Sequence, residues 1–306
     1  MRNAFIAALT EEARLDANIW LLCGDIGFSV LEGFAAEFPQ RFINVGVAEQ
    51  NMIGVAAGLA LSGKTVFTYT IGNFSFMRCL EQIRNDVCYH NLNVKVVALG
   101  GGYAYGAMGY THHVIEDIAM MRVLPNIQLY APGDPFEAAL AAQTMCHTSG
   151  PGYVRLGRGG EPKVHSALPA GDFNKAIVMR EGRDATIISS AGTLDIAAQA
   201  ASQLADSGVS VGLVSMPTLM PFDATSLQKI AATTNKIITI EEHGRGGLGS
   251  LVLESCNAQG ISVPVKRIFV EKPLSAQSGD RNWYRQLHGI TAQAIMDAVK
   301  EPAPRR

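Results

Sequence analysis

The chain has 306 residues, 48% hydrophobic and 17% charged, with 31 glycines, enough for two domains with separate cores. Its net charge of −2 gives no electrostatic case for nucleic acid or an anionic membrane surface, and no apolar run is long enough to span a bilayer. Met1-Arg2-Asn3-Ala4 opens no secretory leader. The five scattered cysteines, with no C-x-x-C pair, fit reduced thiols, so the expected location is cytoplasmic.

In chain order, residues 2 to 16 read as an amphipathic helix and Ile19 to Cys23 as a strand ending in Gly24-Asp25. Phe42 to Val47 is a short apolar run expected to be a buried strand. The segment that follows, to Leu61, is apolar all round and carries Gly54 and Gly58 four apart. It reads as a helix packed inside the protein, with small residues admitting another backbone. Strands at Thr65 to Tyr69, Val94 to Leu99, Ile127 to Tyr130 and Gly152 to Arg155 alternate with helices at Phe76 to His90, Thr111 to Arg122 and Pro135 to His147. From Gly157 to Phe173 the chain is rich in Gly and Pro and has no period, which marks a linker. Strands at Ala185 to Ser189, Ser210 to Ser215, Lys236 to Glu241 and Val265 to Val270 then alternate with helices at Leu194 to Asp206 and Leu248 to Cys256. This rhythm predicts an α/β fold of two domains, each a mostly parallel sheet covered by helices. The expected divisions are 1–158, a linker at 159–173, a second domain at 174–300, and a frayed tail at 301–306.

Into the apolar junction after Phe42 to Val47 the sequence places one acid, Glu49. A carboxylate there is costly unless paired, hydrogen-bonded or protonated. The plain structural reading is an acid favoured by the positive end of its helix. However, Val45-Gly46-Val47-Ala48-Glu49-Gln50-Asn51 closely resembles the pyrimidine-binding motif of thiamine-diphosphate enzymes of the transketolase and deoxyxylulose-phosphate-synthase type. The resemblance implies that Glu49 hydrogen-bonds the aminopyrimidine of thiamine diphosphate. A carboxyl that shares a proton with ring nitrogen N1′ drives the ring into the tautomer that activates the cofactor.

The same resemblance extends over nearly the whole chain and assigns further residues. Phe74, between strand and helix in Ile71-Gly72-Asn73-Phe74-Ser75-Phe76, would stack on the pyrimidine; the loop reads as one residue longer than in the family, so Phe76 competes for that role. Asp25 and Ile26, in Gly24-Asp25-Ile26-Gly27-Phe28-Ser29, would lie against the cofactor. Thr111-His112-His113 resembles the family's substrate histidine at His112, a group able to exchange protons with donor and acceptor hydroxyls. His113 is expected to have no role. Arg158, Arg2 and Ser29 stand where transketolases hold a sugar phosphate, and a planar guanidinium suits that anion.

Three features separate the chain from an ordinary transketolase. Met108 replaces an acid that recognises an acceptor hydroxyl, and Gly100 replaces a phosphate-binding histidine. The Gly-Asp-Gly element that holds the diphosphate through Mg²⁺ is absent, because the Gly-Asp pairs at Gly24, Gly133, Gly171 and Gly279 are never followed by Gly. The chain is therefore identified as a C-terminal subunit of a split transketolase. A separate N-terminal subunit would carry the diphosphate and Mg²⁺, in a dimer or α2β2 heterotetramer that moves a two-carbon ketol unit between sugars. The β subunit of a 2-oxo acid dehydrogenase and a deoxyxylulose-phosphate-synthase-like enzyme are the nearest alternatives; Arg158 and the Arg78–Arg84 helix favour the transketolase side. From another class, Gly244-Arg245-Gly246-Gly247-Leu248-Gly249 is a literal G-x-G-x-x-G with Glu271 ending the next strand. That would suit a non-catalytic dinucleotide-binding regulatory partner, although the unit closes the chain and lacks the rest of its half-domain.

Overall fold

The structure, a computed structural model, describes residues 1–272 and 277–302. Twelve strands form two sheets: β1 (Ile19–Cys23), β2 (Phe42–Asn44), β3 (Thr65–Ile71), β4 (Val94–Leu99), β5 (Gln128–Tyr130), β6 (Gly152–Leu156), β7 (Ile177–Arg180), β8 (Ala185–Ser189), β9 (Val211–Ser215), β10 (Thr218–Met220), β11 (Ile237–Ile240) and β12 (Val265–Ile268). The first sheet has the order β10-β5-β6-β4-β3-β1-β2 and the second β12-β11-β8-β9-β7. All pairs are parallel except β10 with β5 and β7 with β9. The two antiparallel strands lie at sheet edges, and the sequence reading missed both because neither is flanked by a helical crossover.

The central strands are buried on both faces, as continuous runs of branched residues require. Along β1, Leu21 packs with Phe67 and Val97 on one face, and Leu22 packs with Val66 and Val96 on the other. The second of these clusters runs on into Ile188, Val214 and Leu227 of the C-terminal half, so one apolar core spans the junction. A third cluster, with Ile187, Leu204 and Ile240, backs the second sheet.

Several expectations require correction. Phe42 to Val47 yields only β2, a half-buried edge strand. The helix Glu49–Leu61 buries Met52, Ile53, Ala56 and Ala57, but Gly54, Gly58 and Leu61 are exposed and no backbone approaches either glycine. Thr111 to Arg122 divides into a 3₁₀ turn at Tyr110–His112 and a helix at Asp117–Met121. Phe76 to His90 likewise begins as a short turn and continues as a π-helix over Ile83–Cys88. Residues 157–176 carry neither helix nor strand. In the expected frayed tail, Glu301 pairs with Lys266 at 3.0 Å; residues 303–306 lie outside the described residues.

A buried polar seam joins the halves. Arg155, 2% exposed, donates from Nη2 to the carbonyls of Val114 and Glu242 at 2.5 and 2.8 Å, and its Nε lies 3.2 Å from Asp117. Tyr153 also donates to Asp117, at 2.9 Å. Burial opposes ionisation of Glu242, but Arg281 and Arg285 hold its carboxyl down to about 2. His243 Nε2 accepts from the Ile118 N–H at 3.1 Å while Nδ1 lies 3.0 Å from the Gly244 carbonyl, so the ring is neutral with its proton on Nδ1. Burial pushes its pKa down to about 4, against the pull of Asp117.

A folded-state pKa below the unfolded value makes the His243 contribution complete above about pH 6.5 and progressively lost as pH falls towards 4. Its acid-limit size is about 3 kcal/mol. Glu241, pushed up by burial to about 7, acts in the opposite sense, so the test is a difference. Urea unfolding of wild type and His243→Gln at pH 7, 6 and 5 should show a stability gap that narrows towards acid; a gap constant with pH would refute this account.

Candidate active site

The parallel strands β1, β3, β4 and β6 run the same way, so the loops leaving their carboxyl ends meet along one edge, where α/β folds bind ligands. Those loops are 24–31, 72–75, 100–113 and 157–161, and they carry every residue singled out above except Arg2 and Glu49.

Glu49 is the first residue of its helix and is 2% exposed. Its Oε2 accepts a 2.5 Å charge-assisted bond from Arg78 Nη1. Its Oε1 has no hydrogen-bond partner among the described residues. A Cβ built on Gly24 would lie 3.6 Å from Oε1, so the missing side chain there leaves this oxygen approachable. Arg78 also lies 4.7 Å above the Phe74 ring. Phe74 is half-buried, whereas Phe76 is fully enclosed against Tyr153. The ring available to a ligand is that of Phe74.

His112 lies edge-on to Phe74 with ring centroids 5.3 Å apart, and its Nδ1 is 3.0 Å from the Thr111 hydroxyl. Asn73 clamps this turn by donating to the Thr111 and His113 carbonyls, both at 3.0 Å. His113 is buried with Nε2 on the Gly106 carbonyl, and burial lowers its pKa. Its place is structural, as expected.

Arg158 is exposed, with its guanidinium 5.5 Å from the Tyr105 ring centre. Arg2 and Arg158 together line a cavity of about 590 Å³ with Gly159, Gly160 and Glu161. Ser29 faces a separate crevice with Asn3, Arg14 and Glu37, and its N–H bonds Glu32 at 2.7 Å. Asp25 is exposed at φ +55° and exchanges hydrogen bonds with Asn44; Ile26 beside it packs on the core. The structure thus gathers Glu49, Phe74 and His112 with Arg78, and Arg2 with Arg158. Sequence reasoning gave no role to Arg78 or Tyr105. The only advance signal for Arg78 was its place four residues after Phe74.

At Gly244 to Gly249 the N-terminus of the helix Leu248–Ala258 is already capped. Glu241 accepts from the Leu248 and Gly249 N–H groups at 2.6 and 2.8 Å, on the donors a pyrophosphate would need. A side chain on Gly249 would meet Arg267 and Thr239 within 2.8 Å. These glycines serve helix–strand packing, and the dinucleotide reading has no room.

The family model for the transketolase pyrimidine binding domain matches residues 1–162, and that for the transketolase C-terminal domain matches residues 174–295. One of the two subunits of an apulose-4-phosphate transketolase from Actinobacillus succinogenes is 37% identical over 265 residues, covering 86% of this chain and 85% of its own. A 6-deoxy-6-sulfo-D-fructose transketolase subunit from a Clostridium species is 33% identical, covering 100% and 95%. A solved split-gene transketolase, described as an inactive β4 tetramer, superposes with a TM-score of 0.90 at 36% identity, covering 98% and 96%. No helix among the described residues is long and apolar enough to cross a membrane. With a pyrimidine-binding domain followed by a transketolase C-terminal domain, the chain belongs to the transketolase family.

Proposed function

We propose that this chain is the C-terminal subunit of a split, thiamine-diphosphate-dependent transketolase, moving a two-carbon ketol unit from a ketose to an aldehyde acceptor. The observation that carries the reading is Glu49: a buried carboxylate with Oε2 on Arg78 and Oε1 unpartnered, beside the open ring of Phe74. These residues fit the pyrimidine half of the cofactor, which supplies a carbanion-stabilising centre when bound. Glu49 Oε1 would hold or accept the proton at the pyrimidine nitrogen, and Arg78 orients that carboxyl. Phe74 offers the stacking face, with Asp25 and Ile26 closing the edge from the β1 loop. His112, oriented by Thr111, would exchange protons with substrate hydroxyls, and Arg158 with Arg2 would anchor the substrate's anionic end.

Two observations support a separate N-terminal subunit that carries the diphosphate and Mg²⁺, in a dimer or α2β2 assembly. The Gly-Asp-Gly element is absent from the sequence. In addition, Val47 is 75% and Leu61 70% exposed beside the bare Gly54 and Gly58, so an apolar face of the Glu49 helix stands in water unless another chain covers it. The relatives named as transketolase subunits and the inactive β4 form of the split relative accord with this. The purified chain, given thiamine diphosphate and Mg²⁺, should show no ketol transfer; turnover by the single chain would refute the split arrangement.

Glu49→Gln keeps the size and a hydrogen bond but cannot exchange a proton. The expected loss in kcat of the reconstituted complex is roughly two to four decades, with assembly intact by sedimentation. Near-normal turnover would return Glu49 to a purely structural role.

The acceptor follows from Met108 and Gly100. Met108 is 56% exposed on a 3₁₀ turn over Gly106–Met108, where the family's acid would read a hydroxyl. Without that acid the site neither demands the hydroxyl nor penalises its absence. The proposed acceptor or product keeps an anionic group but is a deoxy, branched or otherwise modified sugar, or a simple aldehyde. A preference in kcat/KM for ribose 5-phosphate over short aldehydes lacking the 2-hydroxyl, by about a hundredfold or more, would overturn this.

A further inference from the structure

We infer that Tyr105 takes over the space left by Gly100 and is a specificity-determining hydrogen-bond donor, which together with Arg2, Arg158 and the buried phenol of Tyr69 reads a tetrahedral oxyanion on the substrate. This rests on the substrate anchor proposed above and names the neutral groups that complete it.

Gly100 adopts φ +85°, and a Cβ there would sit 2.2 and 2.4 Å from two atoms of the Tyr105 ring. The residue can carry no side chain while Tyr105 occupies this place. Gly100 and Gly101 both donate to the Leu156 carbonyl at 2.9 Å, which ties the loop to the end of β6, two residues before Arg158. The Tyr105 ring is 9% exposed, with Arg158 5.5 Å from its centre and the His112 ring centre 6.3 Å away.

The groups around this ring have more donors than acceptors. The Tyr69 hydroxyl, on a fully buried residue, has no hydrogen-bond partner, and neither has the buried Nε of Arg2. The charge of Arg2 reaches both phenols, and that of Arg158 reaches Tyr105. Neither guanidinium has a carboxylate within ion-pair distance among the described residues. The neighbouring acid, Glu161, is engaged by the Met1 nitrogen at 2.7 Å and the Gly159 N–H at 2.9 Å. A buried donor without an acceptor is costly, and two unpaired guanidiniums beside two phenols are met by one ligand chemistry, an oxyanion with several acceptor oxygens. Phosphate and sulfonate both qualify.

Replacing an imidazole by a phenol changes how the anion is held. The groups facing Tyr105 are Arg2, Arg158, Tyr69, His112 and Glu161. Burial raises both phenols above their usual range, so they remain neutral donors, and the guanidiniums remain charged. Only His112 titrates near neutrality, and in this assignment it serves the reacting hydroxyls instead.

The test uses the full chain and inorganic sulfate, whose charge is constant between about pH 6 and 9, with inorganic phosphate in parallel, followed by titration calorimetry. The expected result is sulfate affinity flat over that range. Tyr105→Phe, which keeps the ring against Gly100, should weaken sulfate about tenfold without moving the melting temperature. In the reconstituted complex the same variant should raise KM for an anionic acceptor by a similar factor and leave kcat for an uncharged short aldehyde unchanged. Equal sulfate binding by the variant, no oxyanion binding by wild type, or affinity lost through the imidazole range would each overturn the inference. A complex without ketol transfer whose sulfate binding still falls in the variant would refute the transketolase reading and support the oxyanion site.

Discussion

Arg155 carries a full charge into a position closed to water, and the geometry of the site depends on how that charge is met. A lone buried ion costs several kcal/mol, and only close partners compensate. Here Asp117 supplies the countercharge and two carbonyls, of Val114 and Glu242, supply acceptors. Those two carbonyls belong to different halves of the chain. The side chain also passes directly beneath Gly101, where a Cβ would lie 2.7 Å from its Cγ and Nε. One residue thereby fixes the loop that leaves β4, the turn that carries His112 and the end of β11 in the C-terminal half. The Glu242 carboxylate returns the contact by accepting from the Tyr103 N–H at 3.1 Å. The C-terminal domain contributes no reacting group to the proposed chemistry, but it holds the loop on which Tyr105 and His112 stand.

On that frame the site is a row of alternating cations and rings: Arg78 over Phe74, Phe74 against His112, His112 against Tyr105, Tyr105 against Arg158. Each contact at a partly exposed position contributes only about 0.5–1 kcal/mol, so stability is not their main effect. They limit the rotamers of side chains that must meet a ligand, and preorganisation of this kind lowers the cost of binding and of reaction. Arg78 has two such functions, because the guanidinium that faces Phe74 also bonds Glu49.

The sheet core and the Glu49 motif were legible because both are local. Branched apolar runs buried on two faces announce parallel strands, and the extents of β1, β4 and β8 match what periodicity alone implies. An acid at the head of an apolar helix is conspicuous within seven residues. What stayed hidden depends on tertiary distance. Arg78 reaches Glu49 across 29 positions, and nothing in either segment names the other. Tyr105 stands five residues from Gly100, yet only the folded loop shows that the ring fills the glycine's empty place. Ser29 illustrates the converse: a matching position in the chain that opens on a different crevice from Arg2 and Arg158. The literal glycine fingerprint at Gly244 misleads for the same reason, since the Glu241 carboxylate that fills its anion site belongs to the preceding strand end.

The helix Glu49–Leu61 shows why an all-apolar period does not by itself mean burial within one chain. Its sequence is apolar around the full circumference, which for a self-contained protein demands cover on every side. This chain covers one side, with Met52, Ile53, Ala56 and Ala57 against the first sheet, and leaves Gly54, Gly58 and Leu61 bare. The hydrophobic effect makes the uncovered side unfavourable in water, so the periodicity records two surfaces, one internal and one presented outward. Glu49 stands at the head of that same helix. On the split-enzyme reading, the element that aims the carboxylate at the pyrimidine is also the element whose outer face another chain would cover, so subunit docking and the orientation of Glu49 share one rigid body. A displacement of the helix by docking would move the carboxylate with it, and the Arg78 bond at 2.5 Å is the contact that resists such a displacement.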